Sequence, residues 1–526
     1  MTATQAPPAA PEATASPATA PAPTPGLAGI LGSADHKVIG RLYIGTAVVL
    51  GVGTAVTGLL AGLNRVDSSV LDSEVAGQVV TFATTSAALL AIAPALLGLA
   101  MVLVPLQVGA RSIAFPRAAA ASYWTFLMGA GLTITAYAIN GGPGGGRSDA
   151  VDLWTVAWAL VTLALVLGAI CVAATALAAR TRGMDLDRVP MFTWSMLCTA
   201  SVWILTLPVL AAVLVVMYVD HRFAQILFSE GIAASYARVS WVSQQPQVYA
   251  FAIPVLGVAL DVVATAAGAR MANRVVGRVA LGAFAVLGIG AFALSAISPE
   301  FADQPVTKLM ALAAPLPVLV VLGIIGATLK AGRPKPTSGL VGSVLALLVL
   351  LLATLLGAAT AFQGALELAG TQWESAQSQL TLVAVVMAGV AGLYHWSTKI
   401  LGRVASEAAG RTAPLILALG GLVLAVPQAV SGLVGDGSEA SSGIDALNGV
   451  AFAGAVIVVL GGALAAVGLV GRRSDDVPAD PWGGQSLEWS TASPPSFGNF
   501  DGALPEVTSA EPLFDDAADA DEEASA

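Results

Sequence analysis

The hydrophobic positions of this chain fall into long unbroken runs, not into the one-sided stripe of a soluble amphipathic helix. A spanning helix needs roughly 20 consecutive apolar residues. Twelve runs reach that length, at about 38–63, 79–104, 118–139, 153–178, 191–219, 246–268, 276–298, 305–330, 338–364, 378–402, 413–434 and 446–471. In lipid every backbone N–H and C=O must be satisfied inside the protein, which favours helices over open strands. The pattern therefore predicts an all-α integral membrane protein, a bundle of twelve transmembrane helices over 35–473. An Ala/Pro/Thr-rich segment, expected to be disordered, precedes it at 1–34, and an acidic segment follows at 474–526.

The loops orient the bundle. Eighteen of the 23 basic residues fall on one set of helix ends, among them Lys37, Arg111, Arg180, Arg274, Lys330, Lys399 and Arg472. The other set holds only Arg65, Arg147, Arg222, Arg238 and Lys308. The excess marks the cytoplasmic side, which puts both termini in the cytoplasm of a multi-pass plasma-membrane protein. Residues 1–34 lack the basic and apolar regions of a cleaved signal, so the first span is expected to direct insertion.

Composition sharpens two points. Hydrophobic residues are 56 % and charged residues 11 % of the chain, against about 25 % charged in a soluble domain. The bilayer is the first partner implied, and nucleic acid is not an expected one. The net charge of −10 belongs to the last segment: 474–526 carries thirteen acids and no Lys or Arg, and without those charges the rest stands at +3. This segment is expected to be disordered and solvated, with docking on a basic partner as the alternative. Cys171 and Cys198 lie in separate spans and read as small packing residues. Gly45, Gly51, Gly53, Gly58 and Gly62 in the first span suggest close helix approach.

Several motifs recur in order along the spans. Asp35-His36-Lys37 precedes the first. Val104-Pro105-Leu106-Gln107 closes the second and leads through Ala114-Phe115-Pro116-Arg117 to Ser122-Tyr123-Trp124. Pro190 to Trp194, Leu207-Pro208-Val209-Leu210 and Asp220 frame the fifth, Pro246-Gln247-Val248-Tyr249 opens the sixth, and Gly392-Leu393-Tyr394-His395-Trp396 ends the tenth. Together they resemble subunit I of the haem–copper respiratory oxidases, from about residue 35 to 470. The resemblance implies the twelve-helix fold of that subunit. For an intact member it also implies two haems and a copper ion, cytochrome c oxidation with oxygen reduction and proton pumping, and other respiratory oxidase subunits as partners.

That chemistry rests on six histidines within the membrane, since imidazole is the neutral nitrogen donor that haem iron and copper both accept. This chain has three histidines in all: His36, His221 and His395, each at a predicted membrane edge. The family's ligand positions fall on Ala83, Gln245, Leu294, Ser295, Ala376 and Ser378. The family's proton-path positions fall on Ser112, Ala119, Gln247 and Leu319, and no arginine pair stands around Pro427–Gly435 for haem propionates. No haem, copper or other metal, and no catalytic residue, is therefore expected. A haem held by His36 and His395 on one face is the lesser alternative.

Polar residues remain at the former site. Gln245, Gln247 and Tyr249 open span six, and Gln377 and Gln379 open span ten. An unsatisfied amide is costly in hydrocarbon, so the glutamines of the two helices are expected to pair across the space, with boundary polarity as the plainer alternative. Asp261, deep in span six, reads as a helix–helix hydrogen bond or as part of an ion path. The reading that follows is a cofactor-free relative of oxidase subunit I with a structural, assembly or regulatory role. An active terminal oxidase and a transporter reusing the bundle are the alternatives.

Overall fold

The computed structural model describes residues 26–224, 226, 236, 241–297, 304–362, 366, 368, 371–434, 441–471 and 477–515; side chains at 27, 224, 241–247, 289–297 and 441–442 lie outside that description. Two compact units are distinguished. The first, Met1–Ser33, contains a short helix, Leu27–Leu31, within the segment expected to be disordered; 1–25 lie outside the described residues. The second, Ala34–Ala526, holds the bundle.

Each predicted run lies on a helix. They are α1 His36–Val66, α2 Ser73–Gln107, α3 Pro116–Ala138, α4 Ser148–Ala178, α5 Met191–Phe223 and α6 Trp241–Ala267. Then come α7 Arg274–Ile297, α8 Pro305–Ala331, α9 Ser338–Phe362, α10 Gln372–His395, α11 Glu407–Val434 and α12 Ser441–Val470. Among the described residues, ten helices are long and apolar enough to cross a membrane; α3 and α7 are not among the ten.

Local chemistry sets the ends. Asp35 caps α1 by accepting from Lys37 N at 3.0 Å, and Thr337 caps α9 by accepting from Leu340 N at 3.2 Å. Pro116 and Pro305 occupy first turns, where a missing N–H costs nothing. In α2 a wide π turn at Ala87–Ile92 precedes Pro94, which cannot donate to the turn before it. Span ten ends earlier than its apolar run suggests: α10 stops at His395, and a separate turn of helix, Ser397–Leu401, follows.

Close approach differs from expectation. A Cβ on Gly45, Gly53 or Gly58 would meet nothing within 4 Å, because α1 packs on one face only and these positions lie off it. The backbones meet instead at Gly40 and Gly98, where a Cβ on either would stand 2.6 or 2.7 Å from the other's carbonyl oxygen. Two of the expected set do meet a neighbour: a Cβ on Gly51 would rest 3.8 Å from Ala91 Cβ, and one on Gly62 would press on Phe452 at 3.1 Å.

The acidic segment also differs. Residues 477–515 form a mostly irregular strap with a 3₁₀ turn, Leu487–Ser490, and a helical turn at 512–515, and Leu487, Glu488, Trp489 and Asn499 are buried. The strap lies on the end of the bundle where α1 begins and α10 stops. Its acids meet the chain's own basic loops: Arg274 pairs with Glu511 at 3.0 Å, Arg270 with Asp515, and Arg188 donates to Val507 O at 3.1 Å. Opposite charges on adjacent loops and apolar anchors outweigh the solvation that its mean composition suggested. Residues 516–526 lie outside the described residues.

Candidate functional site

The centre of the bundle is built where α5, α6, α7 and α10 meet. Tyr249, in the third turn of α6, is buried, and its hydroxyl accepts a hydrogen bond from Gln377 Nε2 of α10 at 2.9 Å. The Tyr249 ring lies 5.6 Å from that of Phe284 on α7, and a Cβ on Gly288 would stand 2.6 Å from Tyr249 Cβ. Phe251 meets Trp203 of α5 edge to face at 5.9 Å. Side chains fill this centre at contact distance, as in any close-packed interior.

Of the glutamines expected to pair across the space, Gln377 donates to Tyr249. The Gln379 side chain is half-buried, and its amide oxygen has no hydrogen-bond partner among the described residues. The side chains of Gln245 and Gln247 lie outside the described residues, as do Leu294 and Ser295. Asp261 is not part of this cluster. It lies twelve residues beyond Tyr249 on α6, about 18 Å away at 1.5 Å per residue. Its two oxygens accept from Met191 N and Phe192 N, both at 2.8 Å, so it satisfies the open N–H groups at the start of α5.

Haem and copper do not fit the residues present. Of the family's ligand positions, Ala376 is fully buried, while Ala83 and Ser378 are half-buried, and none offers nitrogen or sulfur. A methyl group at Ala83 and Ala376 and a hydroxyl at Ser378 leave a haem iron between α2 and α10 without an axial imidazole. Among the described residues no three His, Cys, Asp or Glu side chains converge on a point where a metal ion could sit. Cys171 is buried and Cys198 half-buried, both as free thiols.

The three histidines sit at helix ends and are engaged there. His221, just past the regular part of α5, pairs with Asp152 at 2.7 Å, with Arg222 3.6 Å from the same carboxylate. His36 places Nδ1 2.7 Å from Met101 O and Nε2 3.1 Å from Asn499 Oδ1. Both partners are oxygen acceptors, so one proton on the ring serves only one of them. His395 is 4 % exposed; its ring stacks on Trp482 at 6.2 Å and meets Trp396 and Trp489 edge-on at 4.9 and 5.2 Å. These separate settings do not form a two-histidine haem site.

The densest polar network lies under the strap, where sequence reasoning placed nothing. Glu488 Oε1 accepts from Gln107 Nε2 and Trp396 Nε1, both at 3.1 Å, and Gln107 Oε1 accepts from Thr193 at 2.7 Å. Glu488 Oε2 is buried with no hydrogen-bond partner among the described residues. Burial raises this carboxyl above its ordinary range, against the pull of those donors. Lys399, fully buried, donates to Thr491 O at 2.5 Å and lies 5.6 Å from the Trp489 ring. Burial lowers its ammonium to about 8, opposed by Glu488 and Asp480. Asn499 Oδ1 accepts from Lys37 Nζ at 2.9 Å and its Nδ2 donates to Ala110 O at 2.7 Å. The signal that could have found this network is local: Trp482, Trp489, Phe497 and Phe500 sit among few charges at 477–500.

The chain matches the family model "Cytochrome C and Quinol oxidase polypeptide I" over residues 38–467. A putative cytochrome c oxidase subunit 1-beta of Streptomyces avermitilis is 28 % identical, with 92 % of this chain and 91 % of that protein aligned. A heme-copper oxidase subunit I+III of Aeropyrum pernix is 30 % identical over 89 % of this chain and 61 % of its own length. A quinol oxidase subunit 1 of Bacillus spizizenii is 27 % identical, with 90 % and 78 % aligned.

Proposed function

Because the chain belongs to the cytochrome c and quinol oxidase polypeptide I family, we propose that it is the cofactor-free form of that subunit, serving as a structural, assembly or regulatory component of respiratory membranes. It crosses the plasma membrane twelve times, with the strap and both termini on the cytoplasmic side and other oxidase subunits as its partners. The observation that carries this reading is the inventory of donors. Three histidines occur in 526 residues, and all three are held at helix ends by Asn499, Asp152 and a tryptophan cage. Redox catalysis in this family belongs to the cofactors, and a protein contributes by holding them. Without nitrogen ligands the scaffold persists while electron transfer to oxygen does not.

Further support comes from the interior. Gln377, Tyr249 and Phe284 turn the centre of the bundle into a packed core. The crowding of eighteen basic residues on one side favours the cytoplasmic placement.

Two measurements test the reading. A reduced-minus-oxidised spectrum of the purified protein, with metal analysis, is expected to show neither haem bands nor stoichiometric copper; two haems per chain would overturn it. Affinity capture from native membranes is expected to bring down respiratory subunits, and a lone chain with no such companion would remove the proposed role.

A further inference from the structure

We propose that the cavity beside the strap, about 490 Å³ in volume, binds a phosphate group, carried by a soluble phosphate compound or by an anionic lipid. Its walls are the last turn of α6 at Thr265, the loop from α8 to α9, the end of α10 and the strap at Trp482. Nothing in the proposed structural role requires such a site, and the two proposals stand or fall separately.

The recognition chemistry comes from three side chains. Arg333 and Lys335 line the cavity with exposed side chains, and no Asp or Glu lines it among the described residues. Their backbones are fixed: Arg333 N donates to Ala267 O at 2.8 Å and Lys335 N to Ala266 O at 2.9 Å. Pro334 and Pro336 stiffen the same loop. Both cations are thus anchored at the rim while their heads remain unpaired among the described residues. His395 forms the base. Its ring is buried against three tryptophans, yet its nitrogens make no hydrogen bond among the described residues, and the residue lines the cavity. The ring is thus held in one orientation by its aromatic neighbours, and a molecule in the cavity can take the hydrogen bond that its N–H makes to no protein atom among the described residues.

Neighbouring negative charge is turned away. Asp480 accepts from the backbone N–H of Trp482, Gly483 and Gly484 within its own turn. Glu407 is held by Ser338 N and Oγ, at 2.8 and 2.6 Å. Helices α6 and α8 end here and direct carbonyls toward the site, but those of Ala266 and Ala267 are occupied by Lys335 and Arg333. Helix α9 begins at the same edge, with Thr337 as its cap, and its positive pole favours an anion. Cations at the rim, a neutral donor at the base and no carboxylate on the wall favour an anion over a metal ion or an amine. Phosphate takes several charge-assisted bonds at once and suits paired Arg and Lys better than a single carboxylate does.

The test uses the full chain in two arms. In a neutral detergent, inorganic pyrophosphate is titrated by calorimetry. In bilayer discs of phosphatidylcholine, with or without phosphatidylglycerol, thermal unfolding reads lipid binding. Saturable heat with pyrophosphate supports a soluble phosphate compound, and a rise in melting temperature with phosphatidylglycerol alone supports a lipid headgroup. The double variant Arg333→Gln/Lys335→Gln changes exposed side chains only, and is expected to weaken either signal about tenfold or more. Arg111→Gln, an exposed cation elsewhere, is expected to leave it unchanged. His395→Phe is expected to weaken binding as well; should it fail to fold, the rim variants decide. The proposal is overturned if neither anion binds saturably, if the double variant binds like the wild type, or if Arg111→Gln weakens binding equally.

Discussion

Replacing Asn499 with alanine should release the strap from the bundle. Asn499 is fully buried, has a left-handed backbone at φ 68° and makes three polar contacts that a methyl group cannot: its Oδ1 accepts from Lys37 Nζ at 2.9 Å and lies 3.1 Å from His36 Nε2, and its Nδ2 donates to Ala110 O at 2.7 Å. Losing the bond to the charged Lys37 costs about 1.5–3 kcal/mol and the Ala110 bond about 1 kcal/mol, while His36 keeps Met101 O as an acceptor for its ring proton. The left-handed backbone, which asparagine tolerates better than alanine does, adds up to roughly 1 kcal/mol. Lys37 keeps Asp35 at 3.0 Å and Phe497 O at 3.3 Å, which favours the lower part of that range. A loss of about 3–4 kcal/mol in the opening free energy of the strap follows, or roughly 10²–10³-fold faster amide exchange. Hydrogen–deuterium exchange of Trp489, Thr491 and Leu513 reads it directly, since their N–H groups bond to Ser486, Glu488 and Gln485. Asn499→Gly spares the backbone term and should recover up to about 1 kcal/mol. Exchange within about threefold of the wild type would refute the reasoning, because it would mean that these buried contacts carry no docking energy.

Four further outcomes are expected. Glu488→Gln should raise the melting temperature at neutral pH. A carboxyl raised on folding stabilises fully below its ordinary value of 4.5 and loses that contribution as pH rises through the raised value, so the wild type should gain stability on acidification and the variant should not. Lys399 runs the other way in sign: its ammonium is lowered from 10.5 to about 8, so stability should climb between those pH values, stay flat below them, and lose the slope in Lys399→Met. Gly40→Val should cost about 1–3 kcal/mol in unfolding measurements, because its Cβ would sit 2.6 Å from Gly98 O, whereas Gly45→Ala, with nothing within 4 Å, should be neutral. Separately, Tyr249→Phe leaves the Gln377 amide without its acceptor and should cost about 1–3 kcal/mol.

What the chain revealed before its structure follows from how strongly physics constrains each feature. Lipid leaves a helix no alternative for its backbone, so the runs around Ala47, Leu165 or Leu350 could be read from hydropathy alone. The vacancy at the cofactor positions was equally plain, because histidine is either in the chain or absent from it. Pair geometry was harder. Nothing in spacing tells whether Gln377 reaches across to an amide or to the Tyr249 hydroxyl, or that Asp261 serves the start of another helix. Gly45, Gly53 and Gly58 misled for a related reason, since small residues permit contact without choosing which face makes it. The strap was misread through averaging. Only Asp480 and Glu488 of the thirteen acids lie within 477–500, and nine follow Phe500. A mean over 474–526 hid an aromatic segment behind a charged one.

The clasp between His36 and Asn499 joins residues 463 positions apart. A ribosome finishes the entry to the first span long before it makes the asparagine that secures it. Insertion of the helices can therefore run to the last span while His36, Lys37, Gln107 and Lys399 still await the strap's share of their partners. A copy cut short ahead of Val477 would keep Met101, Asp35 and Thr193 beside the first three, but would lose the bonds that Asn499, Glu488 and Thr491 supply.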